Sequence, residues 1–175
     1  MLRVVLFLLT VFFNFYQFLI LSRFILQCVK ADFNHPFCQF VLRTTNPLVL
    51  PTRKWIKSWQ GLDLATLALF YGVVWVQTSL FMLLALGTWS GFSFISALFQ
   101  ALHFYLSFMF FSILIYALMT WFTNAQMHPL GSLLHQMVEP LLRRLRQIVP
   151  LIAGWDLSPL FALILIQVLN MILPG

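Results

Sequence analysis

Hydrophobic residues make up 62% of these 175 residues and charged ones only 8%, with a mean hydropathy of +0.95. Soluble domains carry about 25% charged residues, so this chain cannot cover a surface facing water and reads as an integral membrane protein with room for a few spans. The net charge of +6 arises from ten Lys and Arg against four Asp and Glu; these cations fall between apolar stretches, which points to membrane topology and anionic headgroups and away from nucleic acid.

A membrane helix needs about 20 mostly apolar residues. The first such stretch covers residues 4–28, with Arg23 in its last turns. It is longer than the apolar core of a signal peptide and no A-x-A site follows, so it reads as a retained span. Cys28 and Cys38 stand ten residues apart outside any CxxC and read as free thiols. Residues 36–59 form a first surface segment. Phe37, Phe40 and Val41 make a short apolar face. Asn46-Pro47 then reads as a cap followed by a proline at the first position of a second short helix. Leu48, Thr52, Trp55, Ile56 and Trp59 continue one face, opposite Arg53, Lys54 and Lys57.

The second span covers residues 64–86 and the third 94–122, joined by Gly87-Thr88-Trp89-Ser90-Gly91, a turn bracketed by glycines. Residues 129–149 are amphipathic at helical spacing: Leu133, Met137, Leu141, Leu145 and Val149 recur every four, opposite His135, Gln136, Glu139, Arg143, Arg144 and Arg146. Pro140 predicts two short helices here, with Glu139 near the start of the second. The fourth and shortest span covers residues 157–173. Lys30, Arg43, Arg53, Lys54 and Lys57 follow the first span, and Arg143, Arg144 and Arg146 follow the third, which places both long loops on the cytoplasmic face and both termini opposite.

The chain repeats itself. His35-Pro36 matches His128-Pro129 at a shift of 93 residues, and the same shift carries Pro47 to Pro140, Arg53 to Arg146, Gly61 to Gly154 and Asp63 to Asp156. A fixed internal period marks a duplicated structural unit. Two repeats, 1–90 and 91–175, predict an all-α membrane fold: four transmembrane helices as two tandem parallel hairpins, each with an amphipathic interfacial segment.

Each surface segment leads into Gly-x-Asp-Leu, at Gly61 to Leu64 and Gly154 to Leu157. An Asp there can cap the next helix and pair with the Arg of its own hairpin, Arg53 or Arg146. In the second copy, Ser158-Pro159 could shift the cap by two residues. A pair of carboxylates also admits acid–base chemistry or an ion site, though capping is the simpler role. Inside the spans, Thr10, Asn14 and Gln17 share one face. The shift sends Thr10 to His103, Asn14 to Ser107 and Gln77 to Asn170. These seven residues define a polar seam between the two hairpins, read either as interhelical hydrogen bonding or as the lining of a narrow path. No nucleophile motif, phosphate loop or metal cluster is present in the sequence, so no enzyme activity, cofactor or metal is expected.

The repeated unit resembles the YggT family, with its YlmG-like relatives. The first copy reads Asp32-Phe33-Asn34-His35-Pro36-Phe37-Cys38-Gln39-Phe40, then Asn46-Pro47, Pro51-Thr52-Arg53 and Gly61-Leu62-Asp63. The fuller second copy runs from Glu139-Pro140 through Arg146 to Pro150, then Gly154-Trp155-Asp156-Leu157-Ser158-Pro159-Leu160. The first copy departs where Lys57 stands for Pro150 and Ala65-Thr66 for Ser158-Pro159. The resemblance implies an inner-membrane protein linked with osmotic stress tolerance, potassium uptake and membrane-complex assembly, and defines no catalytic residues. The expected function is that of a non-catalytic accessory or scaffold protein. Its expected partners are anionic lipid headgroups and another membrane protein or a further copy of itself. The alternative is a small, potassium-related ion channel or transporter using the polar seam.

Overall fold

A computed structural model describes residues 2–31, 35–56, 62–87, 93–122, 129–148 and 156–174. Every regular element among them is helical: α1 (Leu2–Cys28), α2 (Pro36–Trp55), α3 (Leu64–Leu86), α4 (Ser93–Phe122), α5 (Pro129–Arg146) and α6 (Ser158–Ile172). Residues 3–28 of α1, 64–84 of α3 and 93–120 of α4 are long and apolar enough to cross a membrane. Helix α6 has 15 residues, which at 1.5 Å per residue rises about 22 Å, short of a hydrocarbon core of about 30 Å.

The chain divides into two compact units, Met1–Leu102 and His103–Gly175, with the division inside α4. The start of α4 belongs to the first unit because it bonds back to α3. Tyr71 Oη donates to the Phe94 carbonyl at 2.8 Å, their rings meet edge to face, and Thr78 bonds Gln100. In this unit α1, α2 and α3 pack on one another, burying Leu19, Ile20, Leu26, Val41, Val49 and Val74. In the second unit α5 packs on α6, and Val138, Leu142, Ala162 and Ile166 are buried.

The ends of these helices follow from local chemistry. His35 caps α2: its Nδ1 accepts from the Phe37 amide at 3.1 Å, with Pro36 at the first helical position, where a proline loses nothing. Gly87 ends α3 at φ +66°, a left-handed conformation open to glycine, and donates its N–H to the Leu83 carbonyl. Lys30 takes the same left-handed role after α1 at φ 52°, while the Ala31 amide closes on the Leu26 carbonyl at 2.9 Å.

Two expectations are corrected. Each surface segment is one helix: α2 runs through Pro47 and Pro51, and α5 runs through Pro140. A proline inside a helix costs about 3 kcal/mol through the lost N–H bond and the clash of its ring with the carbonyl four residues back, and more where that carbonyl is also left buried without a partner. Here all three prolines lie on exposed faces, so the carbonyls of Arg43, Pro47 and Gln136 can bond to water. The opposite face holds each helix together: Cys38, Val41, Thr45 and Val49 on α2, and Gly131, Leu133, Met137, Val138 and Leu142 on α5. Asn46 is therefore mid-helix and caps nothing. The face of Leu48, Trp55 and Ile56 is exposed and does not pack inside the unit. Trp55 is 89% exposed, because the smaller side chains at 38, 41, 45 and 49 let α2 approach its neighbours more closely.

Candidate functional site

The duplicated element is built around an Arg and an Asp ten residues apart. In the first unit Arg53, in the last turn of α2, donates Nε to Asp63 Oδ2 at 3.1 Å and adds a second bond from Nη2 to the same oxygen. In the second unit Arg146 donates Nε to Asp156 Oδ2 at 2.8 Å. Each aspartate also starts the helix that follows. Asp63 is the N-cap of α3, accepting from the Thr66 amide at 3.4 Å and from the Thr66 hydroxyl at 2.6 Å. Asp156 stands one residue before the N-cap of α6, Leu157, and accepts from the Ser158 amide at 2.9 Å. A carboxylate at this end of a helix satisfies donors that have no partner within it and sits well against the positive end of the dipole. The pair thus ties the end of each surface helix to the start of the next one.

The environment fixes the protonation of both carboxylates. Burial alone would raise the pKa of Asp63, but bonds from Arg53 and Thr66, with the Arg53 charge, outweigh it and hold the group below the usual carboxylate range. Asp156 is lowered in the same way: burial opposes, and bonds from Ser158 and Arg146 prevail. Burial would lower Arg146, but bonds to and charges on Asp156 and Glu139 raise it.

A second layer surrounds each pair. Arg23, deep in the last turns of α1 and 2% exposed, donates Nη1 to Thr45 Oγ1 and to Asn46 Oδ1, both at 2.8 Å. Gln27, one turn further on, lies beside the Arg53–Asp63 pair. Turned so that its oxygen faces Arg53, its amide accepts from Nη2 at 2.9 Å and donates to Asp63 Oδ2 at 3.0 Å. In the second unit Arg146 Nη1 reaches both Glu139 oxygens, at 2.9 and 3.0 Å. His135 Nδ1 lies 3.6 Å from Glu139 Oε2 and 3.0 Å from Tyr116 Oη, with the two rings stacked at 5.6 Å. The shift of 93 maps Arg23 onto Tyr116 and Asn46 onto Glu139. This second layer was missed in the sequence. The signal available was the shared spacing of 23 residues between a polar group on a span and one on the surface helix.

The remaining candidate residues fall in three groups. Arg53 and Arg146 do not stand free on a basic surface, because their guanidinium groups engage carboxylates; Lys54, Arg143 and Arg144 are exposed. Of the repeated residues, Pro36 and Pro129 open α2 and α5, while Gly61, His128 and Gly154, like Lys57 of the basic group, lie outside the described residues. The polar residues of the spans pair inside each unit. Buried Gln17 donates to Gln77, which donates to Asn14 at 3.4 Å. His103 Nδ1 meets Asn170 Oδ1 at 3.1 Å, and its buried Nε2 has no partner among the described residues. Thr10 returns its hydroxyl to the Leu6 carbonyl of its own helix, and Ser107 is half-buried on α4. Among the described residues no group of three His, Cys, Asp or Glu side chains is placed to hold a metal ion.

Long apolar helices, and in each unit a helix fastened by an Arg–Asp pair to the start of the next, define a helical membrane protein with a duplicated unit. The chain belongs to the CCB3/YggT family, whose sequence model matches residues 2–84 and again 95–175. The two matches start 93 residues apart, the same interval that relates Arg53 to Arg146. An uncharacterized protein of Pseudomonas aeruginosa is 33% identical over 162 residues, covering 91% of this chain and 82% of its own. One from Vibrio alginolyticus is 32% identical over 171 residues, covering 95% and 91%. The uncharacterized protein YggT of Escherichia coli K12 is 30% identical over 165 residues, covering 94% and 86%. No solved structure matches the chain.

Proposed function

We propose that the protein is a non-catalytic accessory or scaffold protein of the bacterial inner membrane. In this reading α1, α3, α4 and α6 form two parallel hairpins, both termini are periplasmic, and α2 and α5 lie on the cytoplasmic face. The observation that carries the reading is the Arg–Asp pair at the same place in both units. It fixes the end of each surface helix and leaves Lys54, Arg143 and Arg144 exposed beside exposed Trp55 and Ile148. Cations next to exposed apolar side chains suit an interface of anionic headgroups, and the same surface can seat a partner membrane protein or a second copy. By family resemblance the physiological role is in osmotic stress tolerance and membrane-complex assembly. The rival channel reading needs polar groups facing an open path, whereas Gln17, Gln77 and Asn14 bond one another, which favours interhelical hydrogen bonding.

The test uses a strain lacking the protein, complemented with wild type or with Lys54→Gln, Arg143→Gln and Arg144→Gln combined. The triple variant is expected to reach wild-type levels in the membrane and to lose tolerance of hyperosmotic medium. Full tolerance in the triple variant would overturn the proposal.

A further inference from the structure

We propose that the outer face of α2 is a docking site for the headgroup of phosphatidylethanolamine. Arg43, Pro47, Leu50, Pro51 and Lys54 recur at helical steps, so they share one face, and all five are exposed. That face lies opposite the packed stripe of Cys38, Val41, Thr45 and Val49. Proline has no N–H. Pro47 therefore deprives the Arg43 carbonyl of its donor four residues on, and Pro51 does the same to the Pro47 carbonyl. The two acceptors stand one turn apart, about 6 Å along the axis. The threonine hydroxyls of α2 do not fill them: Thr44, Thr45 and Thr52 donate to the carbonyls of Phe40, Val41, Leu48 and Val49.

The face thus offers two bare acceptors between two cations, Arg43 and Lys54. A phosphate alone would pair with the cations and leave the carbonyls unfilled. Phosphatidylethanolamine matches both halves, because its phosphate accepts from Arg43 or Lys54 and its ammonium donates N–H to the carbonyls. A choline headgroup carries the same charges but has no N–H to give. Phe40 and Leu50, 50% and 53% exposed on the same face, supply apolar contact for the acyl chain below the headgroup. The site rests on the placing of α2 at the membrane surface in the reading above. The second unit is an internal control. The shift of 93 puts Gln136 in place of Arg43, Arg144 in place of Pro51 and Gln147 in place of Lys54, so α5 has neither the paired carbonyls nor the flanking cations.

The experiment equilibrates the full chain in detergent with equal amounts of two phospholipids of identical acyl chains and counts the lipids it retains by native mass spectrometry. Wild type is expected to retain phosphatidylethanolamine over phosphatidylcholine about fivefold, the worth of one hydrogen bond. Pro47→Ala combined with Pro51→Ala restores both N–H donors within the helix and leaves every charge in place, so the ratio should fall to about one. A fivefold ratio that survives in the proline variant, or no preference in wild type, would overturn the site. Phosphatidylglycerol against phosphatidylcholine separates this from the reading it rests on. A phosphatidylglycerol preference that Lys54→Gln, Arg143→Gln and Arg144→Gln together abolish, without any ethanolamine preference, would overturn the carbonyl site and leave the surface reading standing. Absence of both preferences would overturn the two together.

Discussion

The two units keep the same Arg–Asp pair and surround it with opposite charge. In the first, Arg23 and Arg53 face Asp63, and the surface helix contributes neutral Thr45 and Asn46. In the second, Glu139 and Asp156 face Arg146, and the span contributes neutral Tyr116. One cluster is left one charge positive and the other one charge negative. Burial differs too: the Asp63 side chain is 6% exposed and that of Asp156 is 33% exposed. The pair itself has one constant task, joining the end of a surface helix to the start of the next helix. The second layer is where the copies diverged, and there only the second unit holds a histidine beside its carboxylates.

The sharpest way to break this comparison is to remove each aspartate in turn. Asp63→Ala deletes the cap of α3 and leaves Arg53 facing buried Arg23 with no carboxylate between them. Losing a half-exposed ion pair with a buried carboxylate, together with a cap, should cost about 2 kcal/mol. Asp156→Ala should cost about 1 kcal/mol, because the site is open to water and Glu139 still holds Arg146. Thermal unfolding of both variants in one detergent measures the difference. Equal losses would mean that the second layer does not decide what each pair is worth.

The pairs themselves were legible in the sequence, because Arg, Gly and Asp are scarce in so apolar a chain and recur at one interval. The long spans were legible from hydropathy for the same reason. The continuity of α2 and α5 was not, since a proline reads as a break unless its freed carbonyl is known to face water, and exposure is a tertiary fact. Which face of α2 packs was not legible either: close packing selected the small Cys38 and Thr45 and left Trp55 exposed. The partners inside the spans were not legible: Gln17 bonds Gln77 and His103 meets Asn170, each within its unit, and a shift between copies does not say which helices meet.

Acid separates the two pairs more gently than mutation. Both carboxylates are held below the ordinary value of 3.8. A lowered folded-state value means that the ionised pair stabilises the fold fully above the unfolded value. That contribution fades as pH falls below 3.8 through the folded value. Unfolding followed downward through this window should show a steep loss of stability in wild type and a shallower one in Asp63→Asn, where that leg is gone. Asp156→Asn should flatten the curve less, because water screens the more open pair. An acid limb unchanged in Asp63→Asn would assign the pH dependence to other carboxylates.

The smallest expected effect concerns the spans. Gln77→Leu removes both bonds that tie α3 to α1 at this depth and leaves buried Gln17 without its acceptor. Hydrogen bonds between membrane helices are worth about 0.6 kcal/mol each, so a loss of about 1 kcal/mol is expected. Asn170→Leu removes a single contact to His103 and should cost about half as much. Were both substitutions instead neutral for stability but harmful to osmotic tolerance, the polar residues would be serving transport and not packing. The ratio of the two stability losses therefore tests whether the copies differ at these polar residues as they do around the Arg–Asp pairs: two bonds tie Gln77 to α1, and one ties Asn170 to α4.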